Sequence, residues 1–111
     1  MNECMERKPT RNEDNMTTVT IVAKVTAKSD QIETVKTELL KMITPTRQEE
    51  GCIEYRLHQD NDNSAVFLFY ENWQNKVCLE QHMNSPHFKA YVAAVGDLIS
   101  DKVVHKMTEL V

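Results

Sequence analysis

Glu49 to Trp73 reads E-E-G-C-I-E-Y-R-L-H-Q-D, then N-D-N-S, then A-V-F-L-F-Y-E-N-W, and the rest of the chain is read outward from it. Gly51 supplies the permissive backbone on which a helix can end and a strand begin. From Cys52 to Gln59, Ile53, Tyr55 and Leu57 share one face while Glu54, Arg56 and His58 share the other, which predicts a half-buried strand. Asp60 to Ser64 is a turn by composition, because Asn and Asp tolerate positive φ and bond their own backbone. Ala65 to Trp73 is then a strand of nearly continuous apolar character, a pattern that calls for cover on both faces. A small sheet with helices on one side normally leaves its other side wet, so a doubly apolar strand points to a further cover. A second copy of the chain is the economical cover for the other.

Upstream, Thr17 to Thr26 alternates Val19, Ile21, Ala23 and Val25 against Thr18, Thr20 and Lys24, a first strand. Ser29 is the expected N-cap of a helix whose apolar face is Ile32, Val35, Leu39, Met42 and Ile43. Pro45 falls late in that pattern and should kink the helix before it ends near Glu50. Downstream, Asn75 to Asn84 forms a short helix. Ser85 caps another with Pro86 at its first position, where a missing N–H costs nothing. Phe88, Tyr91, Val92, Val95, Leu98 and Ile99 form its buried face, and Lys102 to Val111 is a last strand. The order β-α-β-β-α-α-β is that of a ferredoxin-like α+β fold with an antiparallel sheet.

At 111 residues the chain supports one domain. We expect residues 1–15, nearly all polar, to be a disordered tail and 16–111 to be the folded domain. A formal net charge of −4 offers no basic footprint for nucleic acid. No apolar run reaches the length needed to span a bilayer, and the N-terminal residues lack the apolar segment of a secretory signal. Cys4, Cys52 and Cys78 are an odd count without C-x-x-C spacing, so they read as reduced thiols in a cytoplasmic protein. The glycines number two, Gly51 and Gly96, so no glycine-rich phosphate loop can form, and no metal-ligand spacing is visible.

Thr17 to Val111 resembles the antibiotic biosynthesis monooxygenase (ABM) domain, in particular its small bacterial quinol-monooxygenase-like members. The motifs that carry the resemblance are P-T-R-Q-E-E-G-C-I-E-Y-R-L-H-Q-D (Pro45 to Asp60), Y-E-N-W (Tyr70 to Trp73) and H-M-N-S-P-H-F (His82 to Phe88). It implies a homodimeric α+β barrel with two sheets packed face to face. It also implies a pocket between each sheet and its helices, and oxygenation of quinol-like or polyphenolic rings by dioxygen without flavin, nicotinamide or metal. The family also includes an isomerase of a phosphorylated sugar and heme-degrading enzymes. The heme branch needs an asparagine on the first strand and a histidine on the last long helix; Thr17 to Thr26 contains no asparagine, and the helix after Pro86 has no histidine beyond His87.

A cofactor-free oxygenase needs a base, a dry aromatic-lined cavity, and groups that stabilise the anion as the substrate gives an electron to dioxygen. His82 and His87 are the candidate bases, since histidine ordinarily titrates nearest neutrality. Trp73, Tyr55, Glu71, Phe88 and Tyr91 are the candidate substrate-binding residues. Four of them have a plainer reading beside the chemical one, His87 that of a structural contact in the first turn of its helix. His82 also suits a cap on the last carbonyls of its helix, Trp73 suits the core, and Glu71 is either a buried acid of raised pKa or a partner of Arg56 across the strands. A pocket rich in Lys or Arg would favour a sugar phosphate, handled by an isomerase or a small-ligand-binding stress module; an apolar pocket with one histidine favours a quinol. The strands supply mainly Phe, Tyr, Val and Leu, which favours the quinol.

Overall fold

The β-branched stretch Val19–Ala27 forms strand β1 in the computed structural model, which describes residues 17–111. After it come α1 (Ile32–Lys41), a short α2 (Ile43–Arg47), β2 (Cys52–Gln59), β3 (Val66–Trp73), α3 (Lys76–Met83), α4 (Pro86–Val95), a 3-10 turn (Gly96–Leu98) and β4 (Ile99–Met107). The four strands form one antiparallel sheet in the order β2-β3-β1-β4. This is the ferredoxin-like α+β arrangement that the alternation of elements predicts. The expected tail lies outside the described residues.

Several boundaries differ from the sequence reading for identifiable reasons. α1 is capped at Gln31 without a side-chain bond, so Ser29 lies outside the helix. It ends at Lys41, the residue whose carbonyl the Pro45 ring would strike in a continuous helix, and Met42 N–H turns back to Leu39 O at 3.1 Å. Gly51 follows at φ 90°, where a Cβ would be strained. β2 carries a bulge between Cys52 and Glu54, which leaves Ile53 57% exposed although Tyr55 and Leu57 face inward. In the turn, Asp60 Oδ2 accepts from the N–H groups of Asp62 and Asn63, so the side chains bond backbone as expected, but no residue other than glycine takes a positive φ among the described residues. β4 starts at Ile99 and stops at Met107, which takes Ile99 out of the helix and Thr108 to Val111 out of the strand.

Ile21, Val25, Phe67, Phe69 and Trp73 on one face of the sheet form a single core with Val35 and Leu39 of α1, Cys78 and Leu79 of α3, and Tyr91 and Val95 of α4. Among the described residues the other face carries no helix. There Val66 and Leu68 are half-buried and Tyr70 is 38% exposed. A polar ladder crosses it: Thr20 Oγ1 donates to Asn72 Oδ1 at 2.5 Å, and Asn72 Nδ2 donates to Glu54 Oε1 at 2.6 Å. Among the described residues β4 pairs with β1 alone and is exposed from Ser100 to Met107. Cys52 is free and half-buried, whereas Cys78 is disulfide-bonded. That departs from the expectation of three reduced thiols, so the cysteines no longer argue for a reducing compartment. No described helix is long and apolar enough to cross a membrane.

Candidate active site

Three local features bring the site together. Asn75 caps α3 by accepting from Cys78 N–H at 2.9 Å. Ser85 caps α4 by accepting from Phe88 N–H and donates its own hydroxyl to His82 O at 2.6 Å, so one side chain joins the end of α3 to the start of α4. The turn at Gly51 is tied to the start of α3 by Gln74 N–H donating to Gly51 O at 2.7 Å. Glu49 therefore faces His82 and His87 across a junction no sequence window spans.

His82 is 2% exposed. Its Nδ1 lies 2.8 Å from Glu49 Oε2, and His87 Nε2 lies 2.6 Å from the same oxygen. A carboxylate oxygen between two imidazole nitrogens accepts from both, so this bonding pattern assigns a proton to Nδ1 of His82; in the neutral ring Nε2 is then the acceptor atom. The capping role is absent: the His82 ring bonds Glu49, and only its backbone carbonyl takes part in the helix end. Aromatic rings hold the imidazole in place, with centroids of Trp73 at 4.7 Å, Phe88 at 5.1 Å and Tyr55 at 5.7 Å.

His82 forms part of the wall of a cavity of about 110 Å³ between the inner face of the sheet and helices α3 and α4. An apolar cavity of about 150 Å³ in another protein holds a benzene, so this one is smaller than that site but of the order a single aromatic ring needs, and well short of a fused-ring system. Its walls include Tyr55, Phe69, Glu71, Phe88 and Tyr91. Tyr55 stacks on Phe69 with centroids 4.9 Å apart. Burial pushes the hydroxyls of Tyr55 and Tyr91 up, that of Tyr91 to about 12, with the charge of Glu71 acting in the same direction. Both are hydrogen-bond donors across the physiological range.

Glu71 is 5% exposed and burial raises its pKa; the indole N–H of Trp73, which donates to Oε1 at 2.9 Å, and the nearby His82 pull it part of the way back. Of the two readings for Glu71, the structure gives the buried acid. Arg56 instead pairs with Glu54 at 3.1 Å, because residue 56 sits opposite Tyr70 on the outer face of the sheet. Trp73 is fully buried behind the cavity, where it orients Glu71 and packs on His82. His87 also stands off the cavity, bonded to Glu49.

Sequence reasoning gave no role to Glu49, nor to Lys102, Val104 and Lys106 of β4, which complete the cavity wall. Only the alternation of Lys102, Val104 and Lys106 in the last strand hinted that they share a face. The fold also gathers Glu49, His82 and His87 into a group whose candidate ligand atoms all lie within 4.8 Å of one another, a donor set zinc or iron accepts. In this arrangement the carboxylate oxygen occupies the space between the nitrogens at hydrogen-bonding distance, so a metal would have to displace both bonds.

The sequence profile of the antibiotic biosynthesis monooxygenase family matches residues 18–94. A Mycobacterium tuberculosis protein named "Putative monooxygenase Rv0793" is 35% identical over 77% of this chain and 83% of its own length. An Escherichia coli protein named "Probable quinol monooxygenase YgiN" is 28% identical over 73% of this chain and 88% of its own. The crystal structure of PA3566 from Pseudomonas aeruginosa superposes with a TM-score of 0.83 at 31% identity, covering 87% of this chain and 98% of that one.

Proposed function

This chain belongs to the antibiotic biosynthesis monooxygenase family, and from that premise we propose that it oxygenates a quinol-like aromatic with dioxygen, using its own side chains and no bound cofactor. The observation that carries the reading is a buried imidazole, oriented by a carboxylate, on the wall of a cavity the size of one aromatic ring.

The residues divide the work as follows. His82 Nε2 takes the proton from a substrate hydroxyl. The phenolate formed is electron-rich enough to give an electron to triplet dioxygen, which closed-shell molecules otherwise do slowly. Recombination on the ring and loss of water leave one oxygen atom on the product: a hydroquinone plus dioxygen gives a hydroxyquinone plus water. Glu49 keeps the proton on Nδ1, so that Nε2 stays the acceptor, and stabilises the imidazolium once it forms. His87, 24% exposed at its side chain, lies at the outer end of the chain His82–Glu49–His87 and provides a route for the proton to solvent. Tyr55, Tyr91 and the protonated form of Glu71 are donors for the oxygen that gains charge. The bare outer face of the sheet supports a homodimer, the two sheets packing on each other.

The test is dioxygen uptake by purified protein with a panel of hydroquinones, run with and without chelator and added flavin. Uptake in wild type that survives chelation and is lost in His82→Ala supports the reading. Uptake that needs added metal or flavin, or that is unchanged in His82→Ala, overturns it. A metal held by Glu49, His82 and His87 would appear in the same experiment as chelator sensitivity.

A further inference from the structure

β4 contributes an unexpected charge to a cavity that is otherwise apolar. Lys102, Val104 and Lys106 pair with Val25, Ala23 and Ile21 of β1, all of them inward-facing, so the two lysines stand on the cavity side of the strand. Asp101, the acid of the strand, pairs with Thr26 on the opposite face. Neither lysine forms an ion pair among the described residues, and both are exposed. The acid of the cavity, Glu71, is buried deep against Trp73 and His82, and neither lysine is among the charges that act on it. The cavity thus has a base and an acid at depth and two cations at the rim without an ion pair among the described residues, in a chain of formal net charge −4.

We propose that Lys102 and Lys106 make this cavity selective for hydroxylated aromatics bearing an anionic group, a carboxylate or a phosphate, with the ring inside and the anion at the rim. This rests on the reading of the cavity as the substrate site and adds the substrate's charge to it. The geometry suits such a ligand: space for one ring lies beside His82, and the lysines flank Val104 at the exposed end. Lysine also protects edge strands from pairing with other chains. That role requires exposure alone and gives no ligand selectivity, so the two roles separate by experiment.

The test is anaerobic calorimetry with three single-ring probes: 2,5-dihydroxybenzoate, its neutral amide 2,5-dihydroxybenzamide, and 4-hydroxyphenyl phosphate. We expect the anionic probes to bind up to about 25-fold tighter than the amide at low salt, roughly fivefold for each lysine, the upper end for solvent-facing ion pairs. The gap should shrink in about 0.5 M salt. It should close in Lys102→Gln/Lys106→Gln, while amide affinity and the circular dichroism spectrum stay unchanged. If one of the two anions alone is preferred, the source of the charge is identified. Equal binding of acid and amide, a gap that persists in the double variant, or no binding of any probe at millimolar concentration would overturn the proposal. Ribose 5-phosphate, an anion without an aromatic ring, should bind more weakly than either anionic probe; equal binding would overturn the aromatic requirement. Because dioxygen is excluded, the outcome is independent of turnover: selectivity without oxygen uptake would leave this inference standing and sink the oxygenase reading.

Discussion

At the scale of single residues, Glu49 decides how His82 can act. Replacing it by Gln keeps the shape but removes the negative charge that both imidazoles share at 2.8 and 2.6 Å, and leaves an amide that can present an acceptor or a donor to them. Either tautomer of His82 can then form, so Glu49→Gln should lower turnover by roughly 10²-fold, within the span typical of general-base catalysis. A displaced pH–rate profile would mark Glu49 as a positioning residue; an unchanged profile would reduce it to a structural contact. His82→Ala should lose at least as much activity. It should also lose about 2 kcal/mol of stability or more, because the ring is buried against Trp73, Phe88 and Tyr55 rather than exposed at a helix end. Glu71 makes a separate statement about pH. Its folded-state pKa is raised above the ordinary 4.5, so the folded protein holds the proton more tightly than the unfolded chain does. Its contribution is therefore fully present below about pH 4.5 and is lost as pH rises through the raised value. Glu71→Gln should flatten that decline in a series of thermal melts from pH 4 to 9. A wild-type and variant pair with parallel curves would refute it.

At the scale of elements, the α3–α4 junction holds the two histidines in place. Ser85→Ala removes the cap on α4 and the bond to His82 O together. The expected loss is about 1–2 kcal/mol, or roughly 4–8 °C in midpoint per kcal/mol for a domain near this size. If the junction positions the base, activity at 25 °C should fall too, although the protein remains folded; full activity would assign Ser85 to stability alone. The Gly51 turn is the other hinge on which the site depends. At φ 90° the substitution Gly51→Ala should cost about 1–2 kcal/mol. Glu49 would also be displaced, and a variant that loses stability without losing activity would show that the turn does not position it.

At the scale of the whole molecule, the sheet has one face packed on helices and one face of Val66, Leu68 and Tyr70 with a polar ladder beside it. We expect two chains to join through that face and bury above about 2,000 Å² in total. Sedimentation should give a dimer for wild type and a monomer for Tyr70→Glu. A stable wild-type monomer at micromolar concentration would remove the dimer from the account.

Order and type of the elements were legible in the chain because they follow from local physics. Alternation marks β1 and β2, Asn75, Ser85 and Pro86 mark the helix starts, and Gly51 marks a turn. The α1 boundary was misplaced because Ser29 falls in a turn closed by Gln31 N–H to Lys28 O, before the helix begins, and Pro45 acted one turn earlier than the apolar pattern suggested. Most of the chemistry-bearing residues were legible too, because imidazole, indole and phenol side chains are few. Their relations were not. Glu49 and His82 are 33 residues apart and meet through a backbone bond between Gly51 and Gln74. Lys102 and Lys106 enter the cavity only because β4 pairs with β1 in one register out of two; a slip of one residue would turn both to the other face. The sequence alone therefore determined the elements, the family resemblance and the stock of reactive groups, since each depends on neighbours along the chain. The tertiary structure alone decided which nitrogen of His82 bonds Glu49, that Glu71 is a buried acid, and that two lysines of β4 line the cavity, because distance and desolvation exist only once the chain has folded on itself.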